Sequence, residues 1–459
     1  MKHSKSSVRR KFSHKLNLRF GDQQLTSFAG LVVFHQLFYE LDLRKHITRC
    51  FAHQPNSKSF SSASIVLLLI VGVLLGYRRL RDVSYFKDDP MTLRILGVSV
   101  MPSVSTVSRH LASLDDRCVQ NVERLQQHLV IKALTREQLS RVTMDFDGSV
   151  LGTCRYAQGA ASGFNRKKKG QRSYYPLYCT VAQTAQVLCV LHRSGNVHDS
   201  NGAESFIRQC VESVRLALPN AIIETRMDGA FFSEKLIALL DELRVEYTIS
   251  VPFERYSTIK VHVQERKRWR RVCNDTQYFE KQFSLQSWDI PRHRFLFVRE
   301  RCKVQHKEPI QLDLFEPYDF DYQYKSIITN KTTNAAHIIE YHQGRGTQEG
   351  LFAQLKSQAS LDYVPCKRWN ANKLFLLCNT MAHNLNAELH MRHHPRARNT
   401  TRQRPALWVF KQLGTIRKQL IQRAGRLIRP QGVLTLCMPE NDALQNDIMQ
   451  YLPNNRLVI

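Results

Sequence analysis

Three acidic residues stand in places where carboxylates do chemistry. Asp147 lies in Asp145-Phe-Asp147-Gly-Ser149 and Asp228 in Arg226-Met-Asp228-Gly-Ala-Phe231, both at the ends of extended segments. Carboxylates set side by side repel unless cations neutralise them. Two divalent ions held roughly 3.5–4 Å apart do so while activating a water and steadying a leaving oxygen. Mg2+ suits such a pair, because it takes oxygen ligands, keeps several waters and is usually bound through a few carboxylates and phosphate oxygens; Mn2+ is able to substitute. Aspartate before glycine is also a common turn former, so neither aspartate speaks alone. Asp145 is a rival to Asp147, since residues two apart on a strand point to the same face.

The third acid, Glu349, sits in Tyr341-His-Gln-Gly-Arg345-Gly-Thr-Gln-Glu349-Gly-Leu-Phe-Ala-Gln-Leu-Lys356. On a helix Arg345 and Glu349 are four apart and Glu349 and Lys356 seven apart, so all three project from nearly the same face, joined by His342 and Phe352. An ordinary surface ladder of ion pairs would not usually share its stripe with Phe352 or lie beside glycines at 344, 346 and 350.

These residues need a scaffold, and the apolar pattern supplies one. Arg141 to Asp147, Tyr174 to Ala182 and Val187 to His192 read as three strands. A helix follows from about Gly202 to Leu218, closed by Pro219. Ala221 to Met227 is then a strand, Ser233 to Leu243 a helix and Val245 to Val251 a strand. That order, βββαβαβ, predicts an α/β (α+β) chain with an RNase H-like mixed-sheet core. The pattern assigns residues 138–252 to the first part of this core, 253–328 to a β-rich insertion, and 329–392 to the second part, with the glutamate helix.

Helical regions flank the core, at 1–137 and in a basic segment at 393–459. In the first, Leu31, Phe34, Leu37, Phe38 and Leu41 follow one helix face, Ile65 to Leu75 reads as a core helix, and Leu93 to Leu111 has the makings of a helix-turn-helix with Ser103 or Ser105 as N-cap. In the last, Trp408, Phe410, Leu413, Ile416 and Leu420 are expected on one face of a helix from about Pro405 to Arg426.

The chain has 459 residues, with Lys plus Arg 67 against Asp plus Glu 39, a formal net charge of +28. Such a charge calls for an anionic partner. The longest apolar run, Ile65 to Gly76, falls well short of the roughly 20 residues that span a bilayer, so nucleic acid rather than a membrane is the expected partner. The eleven cysteines include no C-x-x-C pair, which excludes a zinc ribbon and makes a reducing, cytoplasmic (nucleoid-associated) setting the simplest expectation. Two basic clusters are candidate phosphate contacts: Arg166, Lys167, Lys168 and Lys169, with Arg172, and Arg268 with Arg270 in the insertion. Trp269 or Trp288 could stack on an unpaired base, with burial in the insertion as the plainer alternative.

Taken in order, these motifs resemble the DDE transposases of bacterial insertion sequences, in particular the group with a Tyr-Arg-Glu-Lys signature and a β-strand insertion before the last acid. The signature reads Tyr, two residues, Arg, three residues, Glu, six residues, Lys; Arg345, Glu349 and Lys356 keep the last two intervals, while Tyr341 stands one residue early and His342 occupies the tyrosine position. Asp147-Gly-Ser149, the run Asn165 to Gly170 with Tyr175-Pro-Leu177, Arg193-Ser-Gly-Asn196 and Cys378-Asn-Thr-Met-Ala-His-Asn-Leu385 are also similar to the family. The resemblance implies a catalytic, metal-holding triad of Asp147, Asp228 and Glu349, Arg345 and Lys356 on DNA phosphates, two Mg2+ ions, and a homodimer that pairs terminal inverted repeats and joins them to target DNA. A metal-dependent nuclease that cuts without joining, or an inactive DNA-binding regulator, are the alternatives.

Overall fold

The computed structural model of the protein describes residues 21, 23–55, 59–153, 156–163, 165, 168–198, 201–252, 256–285, 288, 292–302 and 322–452. Helices come first: α1 (Leu31–Glu40), α2 (Leu43–Cys50), α3 (Ser62–Leu75), α4 (Pro90–Leu96), α5 (Val104–Ala112) and α6 (Asp116–Arg136). Their starts follow capping chemistry. Ser61, Asp89, Ser103 and Asp115 each accept a backbone N–H of the first turn of α3, α4, α5 and α6. Helix α3 is apolar on every side and buried along nearly its whole length, as expected for a helix wrapped by others.

The centre is a mixed sheet. Its strands are β1 (Arg141–Gly148), β2 (Leu177–Val181), β3 (Gln186–Leu191), β4 (Ile222–Met227), β5 (Glu246–Val251), β6 (Thr276–Phe283), β7 (His293–Arg301) and β8 (Tyr322–Thr329). With the short strand Arg270–Arg271 they make one nine-stranded sheet, ordered Arg270–Arg271, β6, β7, β8, β5, β4, β1, β2, β3. β1, β3, β4 and β5 run in one direction and β2, between β1 and β3, runs antiparallel to them, a mixed sheet as the element order predicts. Helices α7 (Ala203–Ala217) and α8 (Glu234–Glu242) provide the crossovers.

The strands of the insertion join that sheet. β8 pairs antiparallel with β5, from Ser326 opposite Val251 to Thr329 opposite Thr248, and β7 and β6 add outward. The segment also holds a helix, α9 (Ser257–Gln264). A small three-stranded sheet of Leu151–Gly152, Arg172–Tyr174 and Ala161–Ser162 sits between β1 and β2, where the apolar pattern had suggested one strand from Tyr174. Strands of two or three residues are too short for alternation to reveal.

After the sheet come α10 (Ala335–Gln343), α11 (Gly346–Gln358) and α12 (Trp369–His393). α12 runs through the core between α3, α6 and the β3 edge. Its Asn384 side chain accepts from Val187 N at 2.8 Å and donates to Val187 O at 2.7 Å, pairing with the sheet edge as another strand would.

The expected helix from Pro405 to Arg426 is corrected: only Leu413–Ile421 is helical. Backbone groups before it are engaged elsewhere, Leu407 N on Gln183 O and Leu407 O by Ala397 N and Arg398 N. Trp408 packs with the sheet core, whereas Leu413, Ile416 and Leu420 belong to the helical core. Gly425–Ile428 is a strand, paired with Leu25–Thr26 and Thr435–Cys437.

Candidate active site

Alternation gives the sheet two unlike faces. Val142, Met144 and Phe146 of β1, Ile223 and Met227 of β4, and Tyr247, Ile249 and Val251 of β5 face the apolar core shared with α7 and α8. On the opposite face β1 carries Arg141, Thr143, Asp145 and Asp147, β4 carries Glu224 and Arg226, and β5 carries Glu246, Thr248 and Ser250. Buried charges must be paired, and these are. Glu224 accepts from Arg141 at 2.8 Å, Lys331 at 2.7 Å, Arg404 at 3.1 Å and the Thr143 hydroxyl at 2.6 Å. Although burial opposes its charge, these cations hold the Glu224 carboxyl below its ordinary range.

Asp147 and Asp228 end this polar row. The parallel ladder runs from Arg141 opposite Ile222 to Phe146 opposite Met227, so the two aspartates come next, level with one another at the carboxyl ends of adjacent strands and about 4.8 Å apart along the backbone. Both are half-buried. Asp147 Oδ1 accepts Gly148 N at 2.7 Å, and Asp228 accepts Ala230 N at 2.9 Å, capping the turn Gly229–Phe231.

The glutamate helix is not continuous. α10 stops at Gln343 and α11 starts at Gly346, with Gly344 and Arg345 forming a tight turn between them. Gly344 is required by space: a Cβ there would lie 2.2 Å from Gln403 O and 2.3 Å from Arg226 Nη1. Beyond the turn, Arg345 Nη1 reaches Asp147 Oδ2 at 3.6 Å. Gln348, which sequence reasoning did not single out, donates to Asp145 O and Thr180 Oγ1, each at 3.0 Å, and Phe352 packs on Tyr178 with ring centroids 5.0 Å apart. Docked by Gln348 and Phe352, α11 turns Glu349 to the exposed side, one turn beyond Arg345, with Lys356 half-buried further along. Phe352 therefore does not share the stripe of Glu349; it is the anchor beside it.

The rival aspartate is occupied. Asp145 is fully buried and held by Arg226 through two hydrogen bonds, Nε to Oδ1 at 2.6 Å and Nη2 to Oδ2 at 2.7 Å. Burial works against the Arg226 charge, but the adjoining carboxylate outweighs it and holds the guanidinium above its ordinary value. Arg226 Nη1 also donates to Tyr341 O at 3.1 Å and Gln403 O at 2.7 Å, fastening both strands to the end of α10. Arg226 was missed by sequence reasoning. The signal was there: a charged residue in the apolar run Ala221 to Met227 has to find a counter-ion.

Of the two residues at the tyrosine position, Tyr341 is buried, with its ring 5.2 Å from the Arg226 guanidinium and 4.4 Å from Lys331 Nζ. His342 is clamped to β5, Nδ1 to Thr248 Oγ1 at 2.9 Å and Nε2 to Ser250 Oγ at 2.8 Å. Burial, with nearby Arg345, Arg226 and Lys325, pushes it down to about 3, so it is neutral.

The basic clusters are spread. Lys168 and Lys169 are exposed in the turn before Arg172, while Arg166 and Lys167 lie outside the described residues. Arg268 and Arg270 are exposed at the far edge, five strand spacings or about 24 Å from β4, and Arg270 lies 3.6 Å from Glu280. Val298–Arg301 and Tyr322–Lys325 run past the last residue of β5, on the side of the sheet where the aspartates stand. Trp269 packs against Phe279 at 4.8 Å and Arg299 at 4.6 Å, and Trp288 against Phe232 at 4.7 Å, so both are half-buried in the insertion.

Asp147 and Asp228 offer carboxylate oxygens of the kind that hard divalent cations take, with Arg345 at their rim, while Glu349 is exposed one turn further along α11 and does not close with them into a group of ligand atoms within 4.8 Å of one another. Among the described residues no helix is long and apolar enough to cross a membrane. No curated protein sequence matches the chain. Among solved structures it is similar to a cryo-EM structure of the piggyBac transposase synaptic complex with hairpin DNA, at 13% identity and a TM-score of 0.44 over 78% of this chain and 74% of that one. It is also similar to the Mos1 transposase paired-end complex with left transposon end, at 11% identity and a TM-score of 0.18 over 42% of this chain and 60% of that one. The model of a sequence family described as transposase DDE domain group 1 matches residues 8–456, nearly the whole length, and the chain accordingly belongs to the DDE transposases, enzymes that cleave DNA and transfer its strands.

Proposed function

We propose that Asp147, Asp228 and Glu349 are the metal-holding carboxylates and that the substrate is double-stranded DNA carrying the ends of the element. The observation that carries this reading is the register of β1 and β4, which sets Asp147 level with Asp228, together with the Arg345 contact to Asp147 one helical turn before Glu349. It favours Asp147 over Asp145, whose two oxygens are taken by Arg226. When bound, a pair of Mg2+ ions would activate the attacking oxygen and stabilise the leaving one.

The protein's own groups do the rest. Arg345, beside Asp147, and Lys356 take phosphate oxygens near the cleaved bond. A groove of about 730 Å³ lined by Ser250, Glu300, Tyr324, Lys325, His342 and Arg345 shares Arg345 with the neighbourhood of Asp147, and offers the flanking DNA a path. Lys168 and Lys169, exposed in the turn before Arg172, grip one stretch of DNA backbone, and Arg268 and Arg270 another at the far edge of the sheet. In α5, Val107 and Leu111 face inward while Ser105, Ser108 and Arg109 are exposed, which suits a helix laid in a DNA groove. The reaction is in-line attack on a phosphodiester, first by water and then by the freed 3′ hydroxyl on a target strand, performed by a homodimer that holds two ends.

The test is Mg2+-dependent cleavage and joining of a labelled duplex that carries the element's own end. Cleaved and joined products support the reading. Cleavage without joining would reduce the protein to a nuclease, and end binding without cleavage to a regulator.

A further inference from the structure

A second cluster of ligating side chains lies in the helical region and shares no residue with the acids above. His53 follows α2, Asp115 caps α6, and Cys118 lies in the first turn of α6. His53 Nε2 lies 3.0 and 3.2 Å from the two Asp115 oxygens and 3.6 Å from Cys118 Sγ, and one ligand atom from each residue falls within 4.8 Å of the others.

We propose that His53, Asp115 and Cys118 form a binding site for a zinc-type divalent transition-metal ion that clips the end of α2 to the start of α6. The distances carry this. With Zn–S near 2.3 Å, Zn–N near 2.05 Å and Zn–O near 2.1 Å, the edges of a tetrahedron are about 3.6 Å for S to N and about 3.4 Å for N to O, close to the spacings observed.

The donors are held in place before any ion arrives. Asp115 Oδ1 accepts Cys118 N at 2.8 Å, which orients the carboxylate, and Asn121 donates to Cys50 O at 3.0 Å, which ties the last turn of α2 to α6. Cys118 is fully buried, and the His53 and Asp115 side chains are 19% and 49% exposed, so the fourth position opens to water. One imidazole nitrogen faces a carboxylate and a thiol together and, with one proton or one lone pair, serves a single partner; an ion at the centre serves all three. Nitrogen, sulfur and oxygen together suit zinc better than the hard ions suited to the all-carboxylate site. On binding, the Cys118 thiol gives its proton to solvent as the sulfur–metal bond forms.

Co2+ is the probe, added to the full-length protein with Mg2+ in excess so that the carboxylate site is occupied. The expected result is one Co2+ per chain, a thiolate-to-cobalt charge-transfer band that Zn2+ abolishes, and a higher Tm with Zn2+. C118S and H53Q should both lose the band, while D228N keeps it. H53Q changes a residue that, unlike Cys118, is partly exposed, so it remains informative if C118S fails to fold, and a cooperative melt checks each variant. Absence of the band in the wild type, or a band that survives in folded H53Q, overturns the proposal.

Discussion

Arg226 and Asp145 form a buried, two-pronged ion pair between adjacent parallel strands, two residues before Asp228 and Asp147 respectively. Removing one partner of such a pair strands a charge in the interior, at a cost of about 3–5 kcal/mol. R226M should therefore be destabilised by about that much in urea unfolding, and the double variant R226M/D145L by less. A single variant as stable as the wild type would refute this reading of the pair.

The proposed triad predicts a separation of binding from chemistry. D147N, D228N and E349Q should bind end DNA, yet cleave it on the order of a hundredfold more slowly or worse, equivalent to ~3 kcal/mol of lost transition-state stabilisation. Single-turnover cleavage in Mg2+ with a parallel binding assay measures both. Wild-type rates for E349Q would remove Glu349 from the site.

Gly344 gives a sharper probe of the turn between α10 and α11. Alanine there meets Gln403 O and Arg226 Nη1 at distances no side chain tolerates, so the turn must shift and carry Arg345 and Glu349 with it. G344A should lower cleavage more than stability. G346A, in open space at the start of α11, should change little, and equal effects from the two would argue against a positional role for the turn.

Burial pushes His192 and His342 down to about 3 and His390 to about 4, from an ordinary 6.5. The unfolded chain therefore takes up protons that the folded protein does not. The stability associated with these neutral histidines is complete above pH 6.5 and is lost as the pH falls toward 3. His192 lies between the rings of Tyr174 and Trp369, each 4.4 Å away, and neither of its buried ring nitrogens has a hydrogen-bond partner for a phenylalanine to forfeit. H192F should make the acid limb of stability against pH shallower by about 1.4 kcal/mol per unit, and an unchanged slope would contradict the buried neutral imidazole.

If about eight phosphates are neutralised, log affinity should fall against log salt with a slope of roughly −7. K168A/K169A and R268A/R270A should each reduce that slope by about 2 and weaken binding to all sequences alike. A slope that does not change would place the altered pair off the DNA.

Much of this was legible in the sequence, for reasons that particular residues make plain. β1, β4 and β5 could be read because apolar residues repeat on one face, and α5 because Ser103 supplies its cap. The two aspartates at the strand ends followed from that order of elements. What escaped depends on contacts distant in sequence. The turn at Gly344 exists because Arg226 and Gln403 need the space, and neither is near it in the chain. The extension of the sheet by β8, β7 and β6 is decided by pairing with β5, which alternation inside a strand does not disclose. The residues from Pro405 to Gln412 have a helix-like apolar spacing that packing on the sheet core, away from the helical core that takes Leu413 to Ile421, overrides.

The pairing of Leu25–Thr26 with Gly425–Ile428 bears on the order in which the molecule can be assembled during synthesis. Gly30, at the start of α1, presses on the backbone of Leu420, so closely that a Cβ would lie 1.8 Å from its carbonyl oxygen. The first described helices thus complete their packing against residues roughly 400 positions further along the chain. At about 5–20 residues per second, roughly 20–80 s of elongation separate the two. A ribosome that stops before residue 425 releases a chain in which Leu25–Thr26 has no strand to meet.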